Sequence, residues 1–151
     1  MTDADGSKID EPFASDDEIL NMVAEFEECR WPYERWTHRS HLAVAVFYLS
    51  WLSYPEALKR IRQSIQNYNR AVGDAQGYSE TLTVLFLRKV DAHMRAAAHE
   101  GRPQSRLIDM VEELVRVADA RWPLLYYSEA RLASPEARAG WVDPDLRQLD
   151  F

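Results

Sequence analysis

Apolar residues recur at helical spacing through most of this chain, and no stretch alternates apolar and polar residues for long enough to indicate a strand. The first helical segment follows Ser15, which forms a capping-box pattern with Glu18 three residues later. We expect this helix to end at about Glu28, because Pro32 disfavours a helical conformation at the residue before it.

The next segment is the most apolar of the chain. Thr37 suits the N-cap position, and the run from Leu42 to Leu52 is almost entirely apolar. We therefore expect a helix that is buried on most sides and ends near Trp51. A third helix should begin at the capping-box pattern after Ser53 and end around residues 69–71.

A glycine-containing loop at residues 73–77 separates the third helix from the fourth. We expect Gly77 to adopt a backbone conformation that other residues avoid. The fourth helix should start directly after it, near Tyr78 or Ser79, and run to Glu100. Apolar spacing then predicts a fifth helix, with Ser105 as its cap.

Beyond about residue 121 the pattern changes, because Trp-Pro, Ser-Pro and Asp-Pro pairs divide the chain into short turns or single helical pieces. Residues 1–14 are mostly polar and should be disordered or loosely attached. The sequence therefore predicts an all-α fold. We expect a single-domain bundle of about five helices over residues 15–151, with an irregular C-terminal tail from about residue 121.

Composition narrows the classes of protein that fit. The 151 residues suit one domain, and a net charge of -7 disfavours a nucleic-acid-binding protein. Cys29 is the only cysteine, which excludes an intramolecular disulfide and a cysteine-rich zinc site. The polar N-terminal segment does not resemble a signal peptide, and the longest apolar run is short for a membrane span. We expect a cytoplasmic protein that binds neither nucleic acid nor membranes.

Two histidines, His38 and His41, stand three residues apart at the start of the most apolar helix. This spacing puts both imidazoles on one side of a helix, where they can face a common space. Histidine titrates near neutrality, so the pair can supply a general acid and base, or metal ligands. The structural alternative is that hydrogen bonds to the backbone and to a carboxylate satisfy both rings.

Glu80 is the third candidate for chemistry. It lies in the first turn of the fourth helix, where the helix dipole alone favours an acidic residue. Val84 and Leu87 continue its side of the helix, so we expect the carboxylate to face inward. A buried carboxylate needs a partner, and His38 or His41 would provide one.

Six further residues are candidates for contact with a substrate. Tyr78 and Asn69 would position it, although capping the C-terminus of the third helix is the favoured role for Asn69. We also expect Arg131, with the rest of the tail, to fold across the bundle and close one end of the pocket. The six residues are Trp36, Asn69, Tyr78, Ser79, Tyr127 and Arg131.

The chain resembles a largely uncharacterised family of small bacterial helical proteins. The motifs that carry the resemblance are W-T-H-x-x-H-L at residues 36–42, Y-N at residues 68–69, G-Y-H-E-T at residues 77–81, and a tail motif at residues 127–146. The resemblance covers roughly residues 26–149. It implies a single all-α domain and no particular reaction.

The histidine of the family's G-Y-H-E-T motif is Ser79 in this chain. If family members bind a metal through that histidine, the resemblance implies that this chain has lost a ligand, because a hydroxyl binds borderline metals poorly. We therefore favour no metal here. The residues left to bind one are His38, His41 and Glu80.

Three functions are compatible with this pattern. The first is an enzyme in which His38 and His41 perform acid–base chemistry on a small molecule while Glu80 orients one ring. The second is a metal-dependent enzyme with the same three residues as ligands. The third is a non-catalytic module that binds a small molecule or another protein. The sequence identifies no cofactor, and the apolar second and fourth helices allow a homodimer.

Overall fold

A computed structural model describes residues 8–102 and 106–151. These residues form an all-α bundle of five long helices followed by two short ones, and they include no strand. The predicted fold class is confirmed. The helices are α1 (Asp16–Glu27), α2 (His38–Leu49), α3 (Tyr54–Ala71), α4 (Glu80–His99), α5 (Leu107–Val117), α6 (Glu129–Leu132) and α7 (Pro135–Ala139).

Helix α2 lies at the centre of the bundle, where it contacts α1, α3, α4 and α5. Its apolar side chains point in several directions, and Leu42, Val44 and Val46 are each at most 1% exposed. Burial of apolar surface on this scale is the main favourable contribution to folding. The near-continuous apolar run therefore marks the helix that the others surround, as its pattern predicted.

The starts of the long helices follow their capping residues. Thr37 accepts a hydrogen bond from the backbone N–H of Ser40, and Ser53 forms the predicted capping box at the start of α3. The predicted cap Ser105 lies outside the described residues. Within the described part of α5, the Asp16 carboxylate accepts a hydrogen bond from the backbone N–H of Ile108 at 3.0 Å. The first turn of α1 thus satisfies a donor at the start of α5.

Helices α1, α3 and α4 end with the same hydrogen-bond pattern, a Schellman motif that places one residue in the left-handed region. Glycine occupies this position after α3 and α4, with φ of 82° at Gly73 and 69° at Gly101, whereas Cys29 occupies it after α1 with φ of 59°. The prediction of an unusual backbone at Gly77 is wrong. A Cβ at Gly77 would lie 2.5 Å from the Asp74 carboxylate, so a larger residue there would require the Asp74 side chain to move.

Residues 8–14 contact the bundle, although the sequence led us to expect a loosely attached segment there; residues 1–7 lie outside the described residues. The backbone N–H of Ile9 donates to the carbonyl oxygen of Glu34 at 2.6 Å, and Asp10 pairs with Arg39 at 2.7 Å. Phe13 is 8% exposed and joins the core. One apolar residue and a few polar contacts suffice to hold this polar segment.

The C-terminal tail packs against the start of α4. Thr81 donates from its hydroxyl to the carbonyl oxygen of Gly140 at 2.7 Å, and the same hydroxyl accepts from the backbone N–H of Val142 at 3.1 Å. Tyr127 is fully buried and donates to the carbonyl oxygen of Val142. The irregular tail is therefore part of the folded domain. Among the described helices, none has both the length and the apolar character needed to cross a membrane.

Candidate functional site

An apolar cavity lies between α2, α3 and the start of α4, and we call it the central cavity. Its volume is about 60 Å³, counted as the space that the centres of water molecules can reach. One water molecule needs on the order of 10–15 Å³ by this count, so the cavity has room for several waters or a small molecule. Aliphatic and aromatic side chains form most of its wall. The side chains in its wall that carry a ring nitrogen, amide or hydroxyl belong to His38, His41, Asn69, Tyr78, Ser79 and Thr83.

His41 is held in one orientation on the wall of the central cavity. Its Nδ1 lies 2.7 Å from the carbonyl oxygen of Thr37, and its ring stacks on Trp36 with 3.8 Å between the ring centroids. A carbonyl oxygen can only accept, so Nδ1 carries the proton and Nε2 is an acceptor in the neutral ring. Burial lowers the pKa of His41 to about 3, which keeps the ring neutral at pH 7.

His38 is tied to a different element of the fold. Its Nε2 lies 2.8 Å from the carbonyl oxygen of Ala118, just beyond α5, so Nε2 carries a proton and donates. Its ring lies against Phe86, with 4.9 Å between the centroids. The structure therefore bears out the backbone part of the structural alternative, because a backbone carbonyl partners each of the two histidines.

Asn69 is the most unusual polar residue of the central cavity. The residue is only 6% exposed, yet its side-chain amide makes no hydrogen bond to any residue that the structure describes. Its backbone carbonyl accepts from Asp74 and completes the end of α3, while the side chain lines the cavity. Asn69 therefore takes both of the roles considered for it: its backbone carbonyl helps to end α3, and its side-chain amide lines the cavity.

The remaining polar groups of the cavity are committed to the protein. Ser79 caps α4 by accepting from the backbone N–H of Leu82, and Thr83 donates to the carbonyl oxygen of Ser79 at 2.8 Å. Tyr78 donates from its hydroxyl to Glu80. Burial and the Glu80 carboxylate raise the pKa of Tyr78, so this hydroxyl remains protonated. These hydroxyls are already hydrogen-bonded within the protein, so they contribute mainly to the shape of the cavity wall.

Glu80 does not partner either histidine, and our expectation that it would is wrong. Its carboxylate accepts from Nε of Arg62 at 2.8 Å and 3.1 Å, and from the Tyr78 hydroxyl. The side chain of Glu80 is 14% exposed, and it does not line the central cavity. A forked guanidinium matches a carboxylate better than a neutral imidazole does, so the pair with Arg62 satisfies the charge.

The metal site suggested by the sequence is not formed by the described residues. Within residues 8–102 and 106–151, no group of three His, Cys, Asp or Glu side chains is placed to hold a metal ion. Arg62 already occupies both oxygens of Glu80, and both histidines donate to backbone carbonyls. The donor set His38, His41 and Glu80 therefore does not fit a metal centre.

Three of the six proposed substrate contacts do not line the central cavity. Trp36 lies behind His41 and is sandwiched against Phe26, with 4.5 Å between the ring centroids. Tyr127 and Arg131 instead hold the tail, where Arg131 donates to the carbonyl oxygen of Asp143. The tail approaches the cavity wall only weakly, since the Ser79 hydroxyl lies 3.5 Å from the carbonyl oxygen of Ala137. These three residues pack around the cavity or hold the tail, and they do not line the cavity.

Two residues of this region were missed by the sequence. The sequence did not identify Arg62, which pairs with Glu80, or Phe86, which lies against the His38 ring, as part of the site. No spacing rule identifies either, because both contacts join residues distant in sequence.

The central cavity thus combines a mostly apolar wall with two imidazoles, each oriented by a backbone carbonyl, and the Asn69 amide. This arrangement can bind a small molecule through hydrogen bonds without any ionic contact from its wall. Comparisons of the chain with models of protein families, with curated proteins and with solved structures found no match.

Proposed function

We propose that this protein binds a small molecule in the central cavity, with His41 and Asn69 as the polar groups that recognise it. The observation that carries the proposal is the Asn69 side-chain amide, which lines the cavity, belongs to a residue that is 6% exposed and has no hydrogen-bond partner among the described residues. Polar side chains inside a fold are usually hydrogen-bonded to protein, so an amide that is open to a cavity and has no protein partner is suited to contact a molecule in that cavity.

The orientation of His41 supports the same proposal. The hydrogen bond from Nδ1 to Thr37 leaves Nε2 as an acceptor, and none of the described residues donates to it. A concave, mostly apolar wall with a few oriented polar groups is the usual form of a small-molecule site. We place this protein in the cytoplasm, a proposal based on Cys29 being the only cysteine.

A screen of single-ring compounds against isotope-labelled protein tests this function. We expect at least one compound to shift the NMR signals of the Asn69 amide and the His41 imidazole in a saturable way. The variant Asn69→Leu keeps the side-chain volume nearly unchanged and removes the amide. It should weaken binding by about three- to tenfold, the usual net worth of one hydrogen bond.

Asn67→Leu is the matched control, because Asn67 lies two residues earlier on α3 and is exposed. Its side chain accepts only from Arg70, at the surface. Binding to this variant should equal binding to the unchanged protein. A screen in which no compound shifts the two signals argues against the proposed function. Equal binding by both asparagine variants and the unchanged protein would also contradict it.

A second candidate function is acid–base catalysis on the bound molecule, and the His41–Thr37 hydrogen bond favours it. Catalytic imidazoles are commonly oriented in this way by a second group, which leaves the other nitrogen free to take a proton. A pKa of about 3 makes His41 a weak base at neutral pH, so binding is the better supported function.

The two candidates differ in whether the bound compound is changed. Each compound found in the screen would be incubated with the protein in D₂O and followed by NMR for deuterium incorporation or new products. Catalysis predicts a change that is lost in His41→Gln while binding persists. Binding without any change over the time course supports the non-catalytic module.

A further inference from the structure

We infer that the molecule bound in the central cavity is uncharged and largely apolar, and that it donates one hydrogen bond from a hydroxyl or an amide N–H to Nε2 of His41. This inference rests on the proposed binding function and specifies the class of ligand. It follows from three properties of the cavity wall: the absence of Asp, Glu, Lys and Arg side chains, the direction of its hydrogen-bonding groups, and its large share of apolar surface.

The wall of the central cavity contains no Asp, Glu, Lys or Arg side chain. Of its two histidines, His41 is neutral at pH 7, and His38 donates a hydrogen bond from Nε2 to the carbonyl oxygen of Ala118. The nearby Glu80 is already paired with Arg62, which leaves neither charge for a ligand. A charged molecule entering this space would lose its hydration without gaining a counterion, which strongly disfavours binding.

The hydrogen-bonding groups select for a donor on the ligand. Nδ1 of His41 is committed to Thr37, so the ring can only accept a hydrogen bond, through Nε2. The Asn69 amide can both donate and accept, and it therefore excludes neither type of group. A hydroxyl is compatible with either residue, because it can donate to Nε2 of His41 and can exchange a hydrogen bond with an amide. An ether or a ketone could not satisfy His41.

The rest of the wall is aliphatic or aromatic, from Leu42 and Ala45 on α2, Ile61 and Ile65 on α3, and Phe86 and Leu87 on α4. Burying apolar surface against such a wall contributes about 25 cal/mol per Å². Most of the affinity should therefore come from a hydrocarbon portion, with the single donor setting its orientation. A small phenol or alcohol has this combination of groups.

Four single-ring probes of similar size separate these requirements: phenol, toluene, benzoate and benzylammonium. Each would be titrated at pH 7.5 into the full-length protein, with affinity read from the Asn69 amide and His41 imidazole signals. We expect phenol to bind most tightly and toluene about three- to tenfold more weakly, since toluene lacks the donor. Benzoate and benzylammonium should bind at least about tenfold more weakly than phenol.

His41→Leu should remove the advantage of phenol over toluene, while His99→Leu, at an exposed histidine of α4, should retain it. If His41→Leu does not fold, the probe series on the unchanged protein decides the question alone.

Benzoate or benzylammonium binding in the cavity as tightly as phenol would overturn the inference and leave the binding function standing. Toluene binding as tightly as phenol would overturn the requirement for a donor. If no probe shifts the cavity signals, while other compounds in the screen do, only the ligand class is wrong. If nothing binds at all, the proposed function fails with it.

Discussion

The carbonyl oxygen of Thr37 accepts two hydrogen bonds from His41, one from its backbone N–H at 3.0 Å and one from its ring Nδ1 at 2.7 Å. Thr37 is also the N-cap of α2, so the residue that starts the central helix fixes the ring on the cavity wall. The local geometry of a helix start thereby determines which nitrogen of His41 faces the cavity as an acceptor.

The burial of His41 predicts how stability depends on pH. Its pKa is lowered from 6.5 to about 3 on folding, so the unfolded chain binds the proton more readily. The contribution is fully present above pH 6.5 and is lost as the pH falls towards 3. Between pH 7 and pH 5, His41 should cost the folded state about 2 kcal/mol of unfolding free energy.

Urea unfolding of the unchanged protein and of His41→Gln at the two pH values measures this contribution. The variant should lose about 2 kcal/mol less than the unchanged protein, because all other titrating groups are shared. His99→Gln removes an exposed histidine and serves as the control. Its stability should depend on pH in the same way as that of the unchanged protein. Parallel pH dependence in His41→Gln and the unchanged protein would show that this ring is not desolvated.

The pair formed by Glu80 and Arg62 should contribute to stability and leave the chemistry of His41 unchanged. A double-mutant cycle with Glu80→Gln and Arg62→Met should give a coupling energy of about 1 kcal/mol, the upper range for partly exposed pairs. The Arg62 side chain is 39% exposed, which limits the value.

The NMR signals of the His41 imidazole provide the second measurement for this pair. They should be the same in Glu80→Gln as in the unchanged protein, because Arg62 and not the imidazole is the partner of Glu80. A coupling energy near zero would remove the pair as a stabilising contact. A large shift of the His41 signals would restore the contact that the sequence suggested.

The sequence predicted the parts of the site that depend on local structure. Thr37 as N-cap fixed the positions of His38 and His41 on α2, and the end of α3 placed Asn69 next to the loop before α4. These are consequences of capping and helical spacing, which act over a few residues. The residues that local rules could position are those that the structure brings to the central cavity.

The partners of those residues could not be predicted. Glu80 had two chemically sensible partners, an imidazole and a guanidinium, and the choice depends on distances between helices that spacing does not encode. Trp36 and Tyr127 have the composition of binding residues, yet both are used in packing. An amphipathic aromatic residue suits either role equally well, so its residue type alone does not distinguish them.

Thr81 should prove essential for attaching the tail. Its buried hydroxyl joins Gly140 and Val142, so Thr81→Val leaves a carbonyl and an N–H without their partner at nearly unchanged volume. We expect a loss of about 1–3 kcal/mol in unfolding free energy. Hydrogen exchange at the Val142 amide should also become faster, since that N–H loses its acceptor.

Thr83→Val, two residues along α4, is the matched control for Thr81. Its hydroxyl donates to the carbonyl oxygen of Ser79, which also accepts a hydrogen bond from the backbone N–H of Thr83. The loss should be below about 1 kcal/mol, because that carbonyl keeps a partner. Equal losses in the two variants would mean that the tail does not depend on the Thr81 hydroxyl.

Cys29 should be replaceable by glycine with a gain in stability. It occupies the left-handed position after α1 that glycine occupies after α3 and α4, and a residue with a Cβ is disfavoured there by about 1–2 kcal/mol. Glycine is more flexible in the unfolded chain, and the Cys29 side chain packs partly against the core, which offset some of this gain. Cys29→Gly should therefore raise the unfolding free energy by about 0.5–1 kcal/mol.

The substitution Gly101→Ala at the end of α4 tests the same backbone effect in the opposite direction. Gly101 has φ of 69° and nothing within 4 Å of an added Cβ, so Gly101→Ala introduces backbone strain without a steric clash. It should lower the unfolding free energy by about 1 kcal/mol, measured by the same urea titration as Cys29→Gly. Opposite signs for the two variants would show that backbone conformation controls both helix ends. A loss of stability in Cys29→Gly would instead show that the packing of the thiol outweighs the strain, and that α1 ends here because its side chain is anchored in the core.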